Sequence, residues 1–427
     1  MGVKVLSSNK DVIIVGAGAA GLSAAKELSK LGLTYQVLEA SHRIGGRAYS
    51  EEIAPNEWFD LGCAWLVGGD SNPFVKIADE LGVALSRDKS DRFLLHNHRF
   101  RRDGKPLNAD QKAACIRYYT DCYKAIATAA EQGRDVAISD VIDMDHEYAP
   151  PVLASIGTSW GMDVDQVSTT DSASTEGDLG HQALHGYGNL VSAWGRDVDV
   201  TLNCRADKID WSGNGIKIET PKGTVSGRCA LITVSTGLLG SGELAFSPGL
   251  PDWKVDAVYN LPMGTENKIG VHFDKDIFGE DGRAHYTTWN SDGHAGKVDA
   301  SVMGLNTASV FIGGRFGVWL EKQGAQAMQD FAIDRVADIF GNGIRKHVDR
   351  CIATAWESEP WTRGSWACAK PGHADKRADL ARPIDDMLFF AGEATVYGGQ
   401  GTCNGAYESG LRAADEIARS LTREKVC

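Results

Sequence analysis

The chain lacks any CxxC pair. Its nine cysteines (Cys63, Cys115, Cys122, Cys204, Cys229, Cys351, Cys368, Cys403 and Cys427) are scattered and odd in number, which supports neither a zinc site nor a disulfide framework. No metal site is expected, and a reducing cytoplasm is the simplest setting. Also missing is any apolar run near the roughly 18 residues that cross a bilayer. The first ten residues, MGVKVLSSNK, are short and polar for a signal peptide, and no hydrophobic tail closes the chain, so no membrane partner is expected. Positive charge is in deficit. The formal net charge of −13 opposes broad binding to nucleic acid and is compatible with cationic substrates.

Glycine, by contrast, is abundant at 49 residues, and it clusters near both ends. That grouping suggests tight turns and close backbone approaches. A length of 427 residues allows two or three domains at roughly 100–200 residues each.

The N-terminal segment predicts a βαβ unit. DVIIV (residues 11–15) reads as a buried parallel strand, GAGAAG (16–21) as a glycine turn and LSAAKELSKLG (22–32) as an amphipathic helix closed by Gly32. TYQVLE (34–39) is the second strand. Helices are expected at 74–82 and 108–132, and a Ser/Thr-rich loop at 168–180. From 198 to 234 the pattern turns to strands: VDVTLN, KIDWSG, GIKIET and TVSGRCALITV. Farther on come the strands KIGVHFD and ASVFIGG, a helix at 323–340, the strand MLFFAG and a helix at 405–420. The fold class expected is α/β, a Rossmann-type dinucleotide-binding domain interleaved with an α+β substrate-binding domain. The first takes residues 1–75, 185–240 and 370–427. The second takes 76–184 and 241–369.

Each glycine of Gly16-x-Gly18-x-x-Gly21 has a task. Gly16 permits the sharp turn, Gly18 lets backbone approach a pyrophosphate, and Gly21 lets the helix pack on the sheet. Ala20 sits in the same turn, at the helix N-terminus, whose free N–H groups and dipole favour phosphate. Glu39 ends the second strand, where a carboxylate can accept from ribose hydroxyls, and Ala40 follows it. The continuation, Arg43-Ile44-Gly45-Gly46-Arg47, brings further backbone at Gly46 and a guanidinium at Arg47 to the same diphosphate.

This second element resembles the GG motif of the FAD-containing amine oxidase superfamily. Four further segments resemble that superfamily, so the likeness covers most of the chain. FDLGCAWL (59–66) is similar to its D-x-G-x-x-W segment, which implies that Gly62 and Trp65 lie by the flavin. DVTLNCRADKIDW (199–211) is similar to the strand pair that lays Ala206 against the adenine. PMGTENKIGVHF (262–273) resembles the segment with the active-site lysine, here Lys268. FFAGEATVYGGQGTCNGAYESGLRAA (389–414) resembles the C-terminal flavin motif, in which Gly392 and Glu393 bind the ribityl and diphosphate region and Thr402 opens the helix facing the flavin pyrimidine. STGLLGSGELAFSPGLPDWK (235–254) brings the likeness closer to polyamine oxidases and histone lysine demethylases than to monoamine oxidases.

The resemblance implies non-covalent FAD, a small amine as substrate and dioxygen as acceptor. The reaction implied is hydride transfer from the amine carbon to flavin N5, giving an imine, then an aldehyde or ketone, with hydrogen peroxide formed on reoxidation. Lys268, Trp366 and Thr402 are the catalytic candidates. Lys268 relays protons near N5, and Trp366 in RGSWACAKPG forms one wall of an amine cage. Thr402 stands where many amine oxidases have the opposing aromatic, so a two-sided cage is not expected. His181 and His185 are expected to be ordinary loop residues, and neither Tyr397 nor Tyr407 is placed in the cavity. A homodimer is left open. Alternatives are an L-amino-acid oxidase, an amine dehydrogenase with a protein electron acceptor, a carotenoid or porphyrinogen desaturase of the same fold, and an FAD-binding regulator without turnover.

Overall fold

The computed structural model describes residues 9–86, 94–174, 180–291 and 295–423. The chain forms a mixed α/β fold around two large sheets. In the first, the strand Lys10–Val15 lies between Tyr35–Leu38 and Gly223–Ile232, parallel to both, and Leu388–Phe390 adds a further parallel strand beyond Gly223–Ile232. Central position explains the unbroken apolar run of the first strand, since both of its faces are covered. The helices Ala19–Lys30 and Cys403–Arg423 pack backbone to backbone on one face. A Cβ on Gly410 would come within 2.2 Å of the Ala20 carbonyl oxygen, and Ser23 Oγ donates to Tyr407 O at 2.7 Å.

The second sheet has seven strands, in the order Val348–Ala353, Glu266–Phe273, Thr307–Gly313, Ala295–Asp299, His285–Trp289, Arg99–Arg102 and Lys105–Pro106. Strand alternation gives it two unlike faces. Ile269, Val271, Val298, Val310 and Ile312 face the helix Ala325–Phe340 in one apolar core. The opposite face carries Glu266, Lys268, Lys297 and Phe311 toward a cavity between the two sheets. The helices Ala109–Glu131 and Ala149–Trp160 close that side.

Several expectations are corrected. The edge strand at VDVTLN shrinks to Val200–Thr201, because only Val37 and Leu38 offer it pairing. The helix expected at 323–340 is present as Ala325–Phe340, and a further helix, Gly314–Lys322, precedes it, parted from it at Gly324, whose φ is +96°. The loop at 168–180 begins as the helix Thr169–Ala173, because Ser168 Oγ accepts from Asp171 N and caps it, while 175–179 lie outside the described residues. The strand Ala245–Ser247 pairs with Lys208–Gly213, so the first sheet runs past the boundary expected at 240.

One buried ion pair fastens the helical insert to the C-terminal region. Arg377 donates to Asp171 through Nε at 2.6 Å and Nη2 at 2.7 Å, and to the carbonyls of Ala367 and Ala394. Asp171 also accepts from Ala369 N at 2.9 Å. Asp171→Ala leaves a buried guanidinium unpaired and is expected to destabilise the fold by about 3–5 kcal/mol. Denaturant unfolding followed by circular dichroism checks this, and an unmoved midpoint contradicts it.

Candidate active site

The cavity between the sheets has a volume of about 1070 Å³. It starts at the turn after the first strand. Gly16 has a φ of +108°, and the helix Ala19–Lys30 opens on Gly18 with no capping side chain and no acidic residue in its first turn. Its first N–H groups are thus left for an anion. Gly16, Gly18 and Ala20 line the cavity, and Gly21 does not. Gly21 is fixed by packing: a Cβ there would stand 2.0 Å from the Gly16 carbonyl oxygen.

Glu39 and Ala40 line the same end. The Glu39 carboxylate accepts from Ala17 N at 2.7 Å and Ser41 N at 2.8 Å, so it ties the phosphate turn to the next loop. Burial pushes its pKa up, and those N–H groups oppose the rise. Ala206 lines the wall beside it. The second glycine pair folds back on the first, with Gly45 bridging to Gly18 and a Cβ on Gly46 reaching within 3.3 Å of Gly18 Cα.

Farther in, Arg47, Gly62, Trp65, Gly392 and Glu393 line the cavity. Two of these side chains meet within the protein. Arg47 Nη1 donates to Glu393 Oε1 at 2.7 Å and to Ser365 O at 2.9 Å. Glu393 Oε1 also accepts from Ala367 N at 3.1 Å, and Oε2 accepts from Gly401 N at 3.0 Å. Gly62 leaves room for the chain itself, since a Cβ would overlap the Arg47 carbonyl oxygen at 1.6 Å.

Lys268 is buried on the cavity face of the second sheet. Its ammonium donates to the carbonyl oxygens of Asp60 and Gly62 and stands 5.5 Å from the centre of the Trp65 ring. Asp60 is pushed up by burial, against the pull of Ser50 and Lys268. Trp366 lines the cavity and packs on Gly401, where a Cβ would lie 3.4 Å from its ring. Thr402 lines it too, but its hydroxyl is committed to the turn. It donates to Gly399 O at 2.6 Å and accepts from Gly405 N at 3.0 Å, capping the last helix. Trp366 thus has no aromatic counterpart at Thr402.

Tyr397 is exposed, and Tyr407 packs on Phe74 and Trp194, so neither lines the cavity. His181 pairs with Asp70 at 2.7 Å, and His185 is exposed. Cys368 is buried and donates to Trp160 O at 2.8 Å, while Cys63 and Cys403 line the cavity. Interaction with Cys403 and burial push the Cys63 thiol up.

Sequence reading missed Glu266, Lys297, Phe311, His98 and His285, which line the chamber around Lys268. Glu266 was within reach, because it stands two residues before Lys268 on a strand and therefore shares its face. Lys297 had no such marker. It enters through cross-strand register, opposite Phe311, which is itself opposite Lys268.

These residues fit FAD. An uncapped helix start and two touching glycine turns suit a diphosphate, Glu39 suits a ribose, and the same cavity is lined by Lys268 and Trp366. Glu39→Ala should loosen FAD by roughly tenfold or more, the scale of one charge-assisted hydrogen bond. The flavin-to-protein absorbance ratio after dialysis checks this, and unchanged retention counts against the placement of the ribose end.

The sequence model of the flavin-containing amine oxidoreductase family matches residues 19–115 and 166–418. Polyamine oxidase 4 of Oryza sativa subsp. japonica is 26% identical over 450 residues, covering 98% of this chain and 91% of the relative. Cyclohexylamine oxidase from Brevibacterium oxydans superposes with a TM-score of 0.80 at 22% identity, over 97% of this chain and 100% of that one. Putrescine oxidase bound to putrescine gives 0.77 at 20% identity, over 96% and 99%. The two structural likenesses are of fold.

Proposed function

The chain belongs to the flavin-containing amine oxidoreductase family, and we propose that it oxidises a small amine at the Lys268 end of the cavity. FAD is the cofactor, and the proposal has it held non-covalently. The overall reaction proposed converts the amine, water and dioxygen into an aldehyde or ketone, the released amine or ammonia, and hydrogen peroxide. The observation that carries this reading is continuity: one cavity runs from the dinucleotide turn at Gly16 and Glu39 to Lys268 and Trp366.

Bound FAD supplies the two-electron acceptor for a hydride from the carbon beside the amine nitrogen. The protein supplies placement and proton handling. Lys268 is held by two backbone carbonyls, which leaves one N–H of its ammonium for a water or a reacting group. Trp366 offers an aromatic face to the alkyl part of the amine. Thr402, by capping the last helix, fixes the amides at its start against the cavity. The second sheet and the helices Ala109–Glu131 and Ala149–Trp160 enclose the chamber and limit water. The proposal includes a reducing, cytoplasmic setting, which the eight free thiols among the described residues support.

The test is anaerobic mixing with a panel of primary, secondary and poly-amines, followed by admission of air. Loss of the visible flavin band with an amine, and its return with air, is the expected result. Bleaching that air does not reverse would make the enzyme a dehydrogenase, and a flavin that no amine bleaches would overturn the proposal. Lys268→Met should keep FAD bound and slow reduction, reoxidation or both by roughly 10²–10⁴-fold, the usual scale of acid–base assistance. Wild-type rates in both half-reactions would remove Lys268 from the chemistry.

A further inference from the structure

Glu266 and Lys297 lie in the chamber beside Lys268 and have no task in the reaction as described so far. Glu266 stands two residues before Lys268 on the strand Glu266–Phe273. Lys297 lies in the row Lys268, Phe311, Lys297, one residue on each of three adjacent strands. Residues two apart along a strand are separated by about 7 Å and share a face, and two strand spacings are about 10 Å. The three charged side chains therefore ring one space, with the Phe311 ring between the lysines.

Glu266 is 4% exposed, and its cross-strand neighbour Gly313 has no side chain to meet it. Lys297 is partly buried. Among the described residues, neither side chain makes a hydrogen bond or an ion pair. Burial pushes Glu266 up to about 7, which Lys268 and then Lys297 oppose, and pushes Lys297 down to about 8, which Glu266 opposes. A charge taken out of water without a hydrogen-bonded partner is costly, and the attraction between Glu266 and its two lysine neighbours offsets only part of that cost.

We propose that the amine oxidised here also carries a carboxylate, with Glu266 receiving the ammonium and Lys297 the carboxylate. The inference rests on the amine oxidation proposed above and names its substrate class. The balance of charge selects that class. A polyamine would bring several cations to one acid and two lysines, which the lysines oppose. A plain alkylamine would leave Lys297 unmatched. An aminocarboxylate answers both charges and lays its carbon chain along Phe311.

The test uses the FAD-loaded protein and chain-length-matched monoamines, diamines, ω-amino acids and α-amino acids, read by anaerobic flavin reduction. Aminocarboxylates should reduce the flavin at concentrations about tenfold or more below those of the matched monoamine and diamine, the scale of a charge-assisted hydrogen bond. Lys297→Met should collapse that ratio, and Lys297→Glu should reverse it in favour of the diamine. A second readout needs no turnover: calorimetric binding of a straight-chain carboxylate without an amine should weaken about tenfold in Lys297→Met, while the flavin spectrum shows the variant folded. Reduction by amines with no advantage for a carboxylate, or a ratio unmoved in Lys297→Met, overturns the inference and leaves amine oxidation standing. If no amine bleaches the flavin, both fall.

Discussion

The carboxylate of Glu393 is the point on which the site depends. It accepts from the Arg47 guanidinium, from Ala367 N and from Gly401 N, so a single side chain joins three stretches far apart in sequence. Arg47 closes the second glycine turn, Ala367 follows Trp366, and Gly401 precedes the cap of the last helix. Each stretch lines the cavity. Charge-assisted hydrogen bonds inside a protein are worth more than neutral ones. The pair Arg377–Asp171 sits close behind and brings in the helical insert. Two ion-paired carboxylates therefore set where the cofactor walls and the chamber walls meet.

The second sheet shows how a plain repeat yields a chamber lined with charge. Alternate residues of the strand Glu266–Phe273 point to opposite faces. Ile269, Val271 and Phe273 enter an apolar core with the helix Ala325–Phe340, which secures the strand. Glu266 and Lys268 are then carried on the other face, buried whether or not their charges are comfortable. Stability is gathered on one side of the sheet and spent on the other, a common arrangement at functional sites.

The dinucleotide half of the site was legible in the sequence because backbone geometry writes itself into residue type. A glycine turn between a strand and a helix, a carboxylate at the end of the next strand and a second glycine pair are local signals. Gly21 acts by packing against Gly16, as its place in the turn implies, and not by lining the cavity. The chamber was less legible. Lys297 reaches it through register across three strands, which no window of sequence contains. The helix Gly314–Lys322 was missed because its two glycines and its aromatic residues hide the helical period, although Gly314, with φ +63°, is what lets the strand turn into it. The short strand Ala245–Ser247 was not legible because it takes its place from a parallel partner and not from its own three residues.

The central claim is that one cavity, closed around Glu393, holds FAD without a covalent bond and presents it to Lys268. The most direct measurement is the flavin content of the purified chain after acid precipitation, with the supernatant and the pellet assayed separately. The account predicts close to one FAD per chain, all of it in the supernatant. A chain that neither carries nor takes up FAD, or flavin that stays with the precipitated protein, would contradict it.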